Sequence, residues 1–188
     1  LGHSHPKVVN ALRAQIEKYM HVMVYGEFAQ APAVELCKKL VGLLPKKHEV
    51  VYLTNSGTEA IEGALKLAKR VTGRSGLIAA QNSYHGSTHG SLSLLGYENQ
   101  KKGYRPLLPG VRFIQFNKME DLNQIDESTA AVLLETIQGG AGFILPKNNY
   151  LKKVKKKCEK VGALMILDEI QPGFGRTGKM FGFEHFEV

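Results

Sequence analysis

Polar and acidic residues follow four apolar runs of this sequence, at the points where predicted strands end. Because open α/β sheets place their ligands at the carboxyl ends of the strands, we expect these groups to converge. They supply hydroxyl and backbone donors, an aromatic ring, two carboxylates and an amide. The groups are Ser56-Gly57-Thr58, Tyr84-His85, Glu135, and Asp168 with Gln171.

The first of these groups begins a predicted helix. Ser56 and Glu59 match the S-x-x-E capping box, and the acidic first turn and basic last turn match the helix dipole. A strand-to-helix turn of this composition offers hydroxyls and unpaired backbone N–H groups to a phosphate. An ordinary capped helix explains the same residues equally well, so both interpretations stay open at this point.

The second group combines an aromatic ring with an imidazole. Tyr84 is suited to stack on a flat heteroaromatic ligand, although a packed loop tyrosine and a hydrogen-bonded loop histidine are the simpler interpretations. The histidines at 3, 5, 85 and 89 and the two isolated cysteines match no zinc-ligand spacing. We therefore predict no metal site.

Short apolar runs alternate with helical patterns from residue 50 onward, which predicts an α/β fold with a largely parallel sheet. The runs are almost entirely apolar, as expected when helices cover both faces of the sheet. The predicted strands are Val50–Thr54, Gly76–Ala80, Val111–Phe116, Ala130–Glu135 and Leu164–Asp168. The predicted helices are Gly57–Thr72, Ser87–Leu95, Met119–Ile125 and Asn149–Val161.

The first part of the chain carries two helical patterns, from Pro6 to about Tyr19 and from Pro32 to about Leu44, with proline suited to the first turn of each. We expect residues 1–48 to be an N-terminal helical segment leading from a smaller domain or an interface. Residues 49–188 would then form part of a large domain. Both ends of the sequence indicate a piece of a longer polypeptide.

The sequence has 25 basic and 17 acidic residues, a net charge of +8, and much of the excess lies in lysines between 152 and 160. Leu151, Val154, Cys158 and Val161 recur there at helical spacing, and no aromatic residue is interleaved to stack on bases. We therefore predict a solvated helix face and no nucleic-acid partner. No apolar run reaches the roughly 18 residues of a membrane span, and the two cysteines indicate a reducing, cytoplasmic setting.

A glycine-rich loop, Gly173–Gly178, is similar to nucleotide-binding loops. A P-loop requires Ser or Thr after its lysine, where this sequence has Met180. A dinucleotide-binding loop would place Asp168 and Glu169 beside a pyrophosphate, where their charges repel it. Both nucleotide-binding interpretations are therefore disfavoured.

Five ordered segments resemble successive motifs of class III aminotransferases, the pyridoxal-phosphate enzymes that include ornithine, acetylornithine and 4-aminobutyrate aminotransferases. Together they span nearly the whole chain and are far more specific than any one of them. The segments are LGHSHPKV, TNSGTEAIEGALKLAKR, SYHGSTHG, ETIQGGAGF and ILDEIQPGFGRTGKMFGFEH.

The resemblance implies the large domain of fold-type-I pyridoxal-phosphate-dependent transferases, here incomplete, in a homodimer with active sites at the subunit interface. It implies that Gly57 and Thr58, with Ser56, bind the cofactor phosphate. Tyr84 would stack on the pyridine ring, and His85 would lie close to the cofactor.

The resemblance also implies that Asp168 is the catalytic partner of the pyridine nitrogen, with Glu135 nearby and Gln171 near the cofactor hydroxyl. An adjacent carboxylate raises the pKa of the ring nitrogen, and the cofactor acts as an electron sink when that nitrogen is protonated. A rigid strand end suits Asp168 to this task.

The resemblance implies one catalytic residue that lies beyond this sequence. The family's Schiff-base lysine follows the GxGRTG loop at a distance that places it past Val188, and no lysine present has a matching context. We therefore expect the 188-residue chain by itself to lack transamination activity.

Three positions depart from the pattern of the ornithine, acetylornithine and 4-aminobutyrate enzymes. Ser87 replaces an arginine that holds a substrate carboxylate, Gly140 replaces a glutamate that pairs with a gating arginine, and Thr136 replaces a proline. These departures argue against a simple copy of those specificities.

We expect an aminotransferase that moves an amino group from a terminal amine, of ornithine, acetylornithine or ω-amino acid type, to a 2-oxo acid. Diaminopelargonate synthesis, a semialdehyde aminomutase and a racemase are alternatives that keep the cofactor. A basic nucleic-acid-binding module built on the lysines between 152 and 160 is the alternative from another class.

Overall fold

Four parallel strands form one sheet in the computed structural model, which describes residues 2–23 and 26–188. The strands are β1 (Gly76–Ala80), β2 (Val111–Ile114), β3 (Thr129–Glu135) and β4 (Leu164–Asp168). Their order in the sheet is β2-β1-β3-β4, and every neighbouring pair is parallel. The predicted α/β class is confirmed, and so are four of the five predicted strands.

Helices connect the strands and precede the sheet in sequence. They are α1 (Pro6–Lys18), α2 (Ala31–Leu43), α3 (Gly57–Thr72), α4 (His89–Ser93), α5 (Glu98–Lys101) and α6 (Tyr150–Val161). Short 3-10 turns lie at Lys102–Tyr104, Glu120–Gln124 and Gly182–His185.

The core has one layer on each face of the sheet. Ile78 of β1 packs in the cluster that contains Val154 of α6, whereas its neighbour Leu77 packs in the cluster that contains Leu65 of α3. Successive residues of a strand point to opposite faces, so a strand between two layers must be apolar throughout. All residues of β1 and β3 are buried accordingly.

The lysine-rich helix α6 is amphipathic. Its buried residues include Leu151, Val154, Cys158 and Val161, which confirms the predicted apolar stripe. The lysines and Glu159 occupy the positions outside the buried set and are half-buried or exposed. Burial of the stripe against the sheet fixes the helix, so its lysines face solvent in this unit.

The predicted strand Val50–Thr54 is wrong. The segment forms no strand in the structure, and Val50 and Tyr52 are 85% and 81% exposed. A β-rich run becomes a strand only where a neighbour accepts its backbone hydrogen bonds, and no strand in the described residues pairs with it.

Two predicted helices are shorter than expected. The segment predicted as Ser87–Leu95 is helical only over His89–Ser93, and the segment predicted as Met119–Ile125 is a 3-10 turn over Glu120–Gln124. Both segments are too short to gain much from cooperative helix propagation, so their contacts with the sheet decide their form. The sequence pattern also missed Glu98–Lys101.

The contacts divide the chain between Leu53 and Thr54 into two compact units. The first unit contains α1 and α2, which confirms the two predicted N-terminal helices to within about two residues. Each has a proline in its first turn, and neither buries a residue. Over residues 2–23 and 26–188, no helix has both the length and the apolar character needed to cross a membrane.

Candidate functional site

The carboxyl edge of the sheet contains a cleft between diverging connections. The chain leaves β1 towards β2 on one side and leaves β3 towards β4 on the other, the arrangement at which open α/β sheets bind ligands. The cleft has a volume of about 290 Å³. Its lining residues are Gly57, Thr58, Tyr84, His85, Gly86, Ser87, Glu135, Asp168, Ile170, Gln171 and Pro172.

The structure brings seven of the eight predicted site residues into this lining. The exception is Ser56, whose Oγ accepts a hydrogen bond from Glu59 N at 3.3 Å and thereby caps α3. The carboxylate of Glu59 accepts from the backbone N–H of Asn55 at 2.8 Å, one residue before the position that a capping box uses. Ser56 therefore contributes a cap and a backbone group.

The first turn of α3 faces the cleft with unpaired donors. Within the described residues, the backbone amides of Ser56, Gly57 and Thr58 donate to no protein acceptor. A Cβ at position 57 would lie 2.5 Å from Cδ1 of Ile170, so the glycine permits close approach of that side chain. Aligned amides at a helix N-terminus favour an anion such as a phosphate.

The hydroxyl of Thr58 is engaged by the protein itself. It lies 2.7 Å from the hydroxyls of both Thr88 and Ser91. The carboxylate of Glu62 accepts bonds from the Thr88 hydroxyl and from the amides of Gly90 and Ser91. These contacts fix the turn before α4 onto α3 and leave the amide of Thr58, more than its hydroxyl, available to a ligand.

The loop after β1 crosses close above the start of α3. Gly86 has φ +130°, and a Cβ there would lie 2.4 Å from Oγ1 of Thr58. Tyr84 is 49% exposed and lines the cleft, and its backbone N–H donates to Oε2 of Glu135 at 3.3 Å. An exposed aromatic residue in the cleft lining can stack on a flat ligand.

Asp168 lies at the end of β4 and is fixed on two sides. Its Oδ1 accepts from the backbone N–H of Ile170 at 3.0 Å, and its Oδ2 lies 2.9 Å from Nδ1 of His85. The two side chains are buried, with His85 2% and Asp168 7% exposed. Nε2 of His85 has no partner in the described residues.

Glu135 closes the floor of the cleft. Its Oε1 accepts from the amide of Gly139 at 3.1 Å, and burial raises the pKa of the carboxyl group above its ordinary value. Gly139 in turn lies against Gln171, since a Cβ at position 139 would be 2.1 Å from its Oε1. The side chain of Gln171 therefore lies against the backbone of the turn after β3, and the residue remains exposed.

The glycine-rich loop forms a bonded turn and does not line this cleft. Residues 173–178 form turns, and the amide of Gly173 donates to the carbonyl of Glu169 at 2.9 Å. The carboxylate of Glu169 accepts from the amides of Gly182 and Phe183 at 2.6 and 2.8 Å. Of the two adjacent acidic residues, Asp168 lines the cleft, whereas Glu169 fixes the following turn.

The sequence missed several contributors. Gly86, Ile170 and Pro172 line the cleft, and their only sequence signal is adjacency to predicted residues. Glu62 carries no signal beyond a position in the first half of a helix, because its partners lie almost thirty residues away. Over residues 2–23 and 26–188, no cluster of His, Cys, Asp and Glu has the composition of a metal site.

Known proteins match this chain over its whole length. The sequence model described as aminotransferase class-III matches residues 1–188. The chain is 41% identical to a [LysW]-aminoadipate semialdehyde/glutamate semialdehyde transaminase of Sulfurisphaera tokodaii, and covers 48% of that protein. It is 43% identical over 195 aligned positions to an acetylornithine aminotransferase of Methanosarcina acetivorans, and covers 47% of it. All of this chain takes part in both matches.

A solved structure has the same arrangement. A taurine:2-oxoglutarate aminotransferase from Bifidobacterium kashiwanohense, in complex with pyridoxal phosphate and glutamate, superposes with a TM-score of 0.90 at 34% identity. The match covers all of this chain and 48% of that one. The chain thus spans about half the length of the relatives it matches. A family match over every residue, on the parallel-sheet fold expected for it, establishes that this chain belongs to the class III aminotransferases.

Proposed function

We propose that this chain supplies the pyridoxal-phosphate-binding part of an aminotransferase that moves an amino group from a terminal amine to a 2-oxo acid. When bound, the cofactor supplies an electron sink for the substrate's amine carbon. The amides of Gly57 and Thr58 hold its phosphate, Tyr84 stacks on its ring, and Asp168 accepts the hydrogen bond of its ring nitrogen.

The observation that carries this proposal is the polarity of the cleft. One wall presents the unpaired amides of Gly57 and Thr58, and the other presents the buried carboxylate of Asp168. A flat ligand with an anionic group at one end and a cationic ring nitrogen at the other satisfies both walls. Pyridoxal phosphate has this combination of groups.

Other cleft residues hold the cofactor-binding groups in position. His85 holds Asp168 in place, and Glu135 fixes the backbone on both sides of the cleft floor. Gln171, which also lines the cleft, would face the cofactor hydroxyl. Among the residues that the structure describes, no lysine lines the cleft. The chain by itself should therefore bind the cofactor reversibly, without a covalent bond to the cleft and without turnover.

The substrates are proposed from the relatives. Two of them are named for acetylornithine and for a semialdehyde of aminoadipate or glutamate, which are compounds of a terminal amine or its carbonyl counterpart. We propose a substrate of this terminal-amine type and a 2-oxo acid acceptor. The uncharged Ser87 in the cleft makes a copy of the ornithine-type carboxylate clamp at that position unsuitable.

We also propose a homodimer and a cytoplasmic location. Val8, Leu12 and Ile16 recur along α1 and are exposed, which suits a helix that packs against another surface in the whole protein. Residues 1–48 would lead from a smaller domain or an interface. Cys37 and Cys158 are both free thiols, as expected in a reducing compartment.

Cofactor titration tests the proposal. The chain should bind pyridoxal phosphate in a fluorescence or absorbance titration, and pyridoxal without the phosphate much more weakly. Asp168→Asn should weaken binding by about tenfold or more, because a hydrogen bond to a charged group contributes about 1.5–3 kcal/mol. Glu127→Gln, which neutralises an exposed carboxylate before the amino end of β3, serves as the control.

Three outcomes would count against the proposal. These are absence of saturable binding, equal affinity for pyridoxal and its phosphate, and equal loss in the Asp168→Asn and Glu127→Gln variants. Salt-sensitive DNA binding in place of cofactor binding would favour a basic module on α6. Borohydride treatment followed by peptide mass spectrometry should attach no cofactor to a cleft residue.

A further inference from the structure

A second cleft adjoins the first across a shared wall. It has a volume of about 230 Å³, and Gln171 and Pro172 line both clefts. Its other walls are largely apolar, with Ile137 and Phe143 on one side and Arg176 and Thr177 on the other. A ligand held in the first cleft can therefore extend past Gln171 into an apolar space with a cation.

The wall after β3 is a closed turn. Gln138 and Ile144 exchange backbone hydrogen bonds of 3.1 and 3.0 Å, and the amide of Phe143 donates to the carbonyl of Gly139 at 3.3 Å. Phe143 has φ +59° and is 75% exposed, although the turn around it is well bonded. An exposed aromatic ring on a rigid turn beside a cleft is a surface for apolar ligand atoms.

The opposite wall is the glycine-rich loop. Nε2 of His185 lies 3.0 Å from the carbonyl oxygen of Thr177 and 3.1 Å from its Oγ1, and the amide of Gly175 donates to the carbonyl of Met180 at 3.2 Å. These bonds fix the loop while the side chain of Arg176 stays exposed. In the part of the chain that the structure describes, no carboxylate pairs with this guanidinium.

Arg176 supplies the single lysine or arginine charge in the described lining of the two clefts. The first cleft contains two carboxylates, Glu135 and Asp168, and no lysine or arginine, and Ser87 there is uncharged. An anionic group of a substrate is therefore repelled from the first cleft, apart from the amides of the α3 N-terminus, and attracted to the second.

We infer that the second cleft binds the carboxylate of an aliphatic amino acid substrate, with Arg176 as the residue that pairs with it. The methylene chain lies along Phe143, Ile137 and Pro172, while the amine remains in the first cleft. This inference rests on the proposed function, because it requires the cofactor in the first cleft. It narrows the terminal-amine class to amines that carry a carboxylate at the far end of an apolar chain.

Two stable cofactor adducts test the assignment without requiring turnover. The probes are the phosphopyridoxyl derivatives of δ-aminovalerate and of pentylamine, each joined through a reduced C–N bond. They differ only in the terminal carboxylate. Calorimetry should show about threefold to tenfold tighter binding of the δ-aminovalerate adduct, the range for a pair between a partly exposed arginine and a carboxylate.

Substitution at 176 should remove that preference. Arg176→Gln is expected to bind the two adducts equally, with unchanged affinity for the pentylamine adduct, and Arg176→Lys should keep part of the preference. Arg70→Gln, which removes an exposed arginine near the far end of α3, should leave the preference intact. Thermal unfolding of each variant verifies that the fold is retained.

The outcomes separate the two proposals. If neither adduct binds, the cofactor site itself is wrong and the carboxylate site falls with it. If both adducts bind the unsubstituted chain equally, the cofactor site stands and the carboxylate site is wrong. A preference that persists in Arg176→Gln would also overturn the assignment to Arg176.

Discussion

Nδ1 of His85 lies 2.9 Å from Oδ2 of Asp168, and the two residues are 83 positions apart in the sequence. The contact joins the loop after β1 to the end of β4 across the intervening strand β3. The amide of Ile170 fixes the other carboxylate oxygen. Asp168 is therefore held in one orientation, and His85 acts as a positioning residue for it.

Loss of this contact should weaken cofactor binding through the ring nitrogen. We expect His85→Phe to lower the affinity for pyridoxal phosphate by about threefold to thirtyfold, the range for a charge-assisted hydrogen bond that orients a partner. An analogue with carbon in place of the ring nitrogen should bind the variant and the unsubstituted chain equally. Parallel fluorescence titrations with the two ligands measure the difference.

The analogue distinguishes positioning from a general loss of structure. If His85→Phe weakens both ligands equally, the residue only supports the fold of the loop. His89→Phe is the matched control, because His89 is an exposed histidine outside the cleft lining. It should change neither affinity.

Gly86 should tolerate no side chain. Its φ of +130° is strained for other residues, and a Cβ would meet the hydroxyl of Thr58 at 2.4 Å. We expect Gly86→Ala to lower the free energy of unfolding by about 1–3 kcal/mol. Urea denaturation measures this, and Gly103→Ala is the control, since a Cβ at 103 meets no atom within 4 Å.

Removal of the threonine hydroxyl takes away the nearest of three close contacts. In a Thr58→Ala background, the steric part of the Gly86→Ala effect should fall in part, while the contacts with the Cβ of residue 58 at 2.6 Å and Oγ of Ser91 at 2.8 Å and the strain of the positive φ should remain. The double-mutant cycle should therefore show a coupling between the two sites. Strictly additive effects would mean that residues 58 and 86 are not in close contact.

The sequence pattern predicted the regular elements best where burial is two-sided. The fully buried strand β3 and the stripe of α6 follow directly from apolar runs and helical spacing. The segment Val50–Thr54 has the same composition as a strand, yet strand formation depends on a hydrogen-bonding neighbour that a local pattern does not report.

Tertiary contacts explain what the pattern missed. Lys101 ends the unpredicted helix α5 and is buried, with Nζ donating to the carbonyl of Leu95 at 2.7 Å and lying 3.9 Å from the centre of the Phe113 ring. Because lysine is usually exposed, a sequence alone predicts that Lys101 lies on the surface. Three of the four groups of candidate site residues follow strands that form, whereas Ser56-Gly57-Thr58 follows the predicted strand Val50–Thr54, which does not form. The His85–Asp168 contact depends on strand order, which local sequence does not determine.

The two cysteines should differ in reactivity. Cys158 lies on the buried face of α6, and burial raises the pKa of its thiol to about 12. Because the thiolate is the reactive form, Cys158 should resist a thiol reagent such as iodoacetamide at neutral pH in the folded chain. Cys37 is half-buried, and it should be labelled first.

Mass spectrometry of labelled peptides measures the rates. Denaturation should make the two cysteines react at similar rates, which serves as the internal control. Labelling of Cys158 in the folded chain at the denatured rate would contradict the packing of α6 on the sheet.

The ion pair between Arg112 and Asp126 should make the stability of the chain sensitive to acid. Nη1 and Nη2 of Arg112 donate to the two carboxylate oxygens at 2.8 and 3.0 Å, and Ser128 Oγ adds a bond of 2.6 Å. The Arg112 guanidinium, together with the Ser128 bond, holds the pKa of Asp126 well below its usual range. The pair joins β2 to the turn before β3.

The sign of the pH effect follows from the lowered pKa. A carboxylate whose pKa is lower in the folded chain stabilises it above the unfolded pKa of about 3.9, and this contribution is lost as the pH falls further. Asp126→Asn should therefore be less stable than the unsubstituted chain at pH ~7, and the difference should shrink below pH ~4. Urea titrations at a series of pH values measure it. Glu127→Gln is the control, because it removes the neighbouring exposed charge. The difference in stability between this variant and the unsubstituted chain should not change with pH. A gap between Asp126→Asn and the unsubstituted chain that stays constant across this range would show that the ion pair does not stabilise the fold.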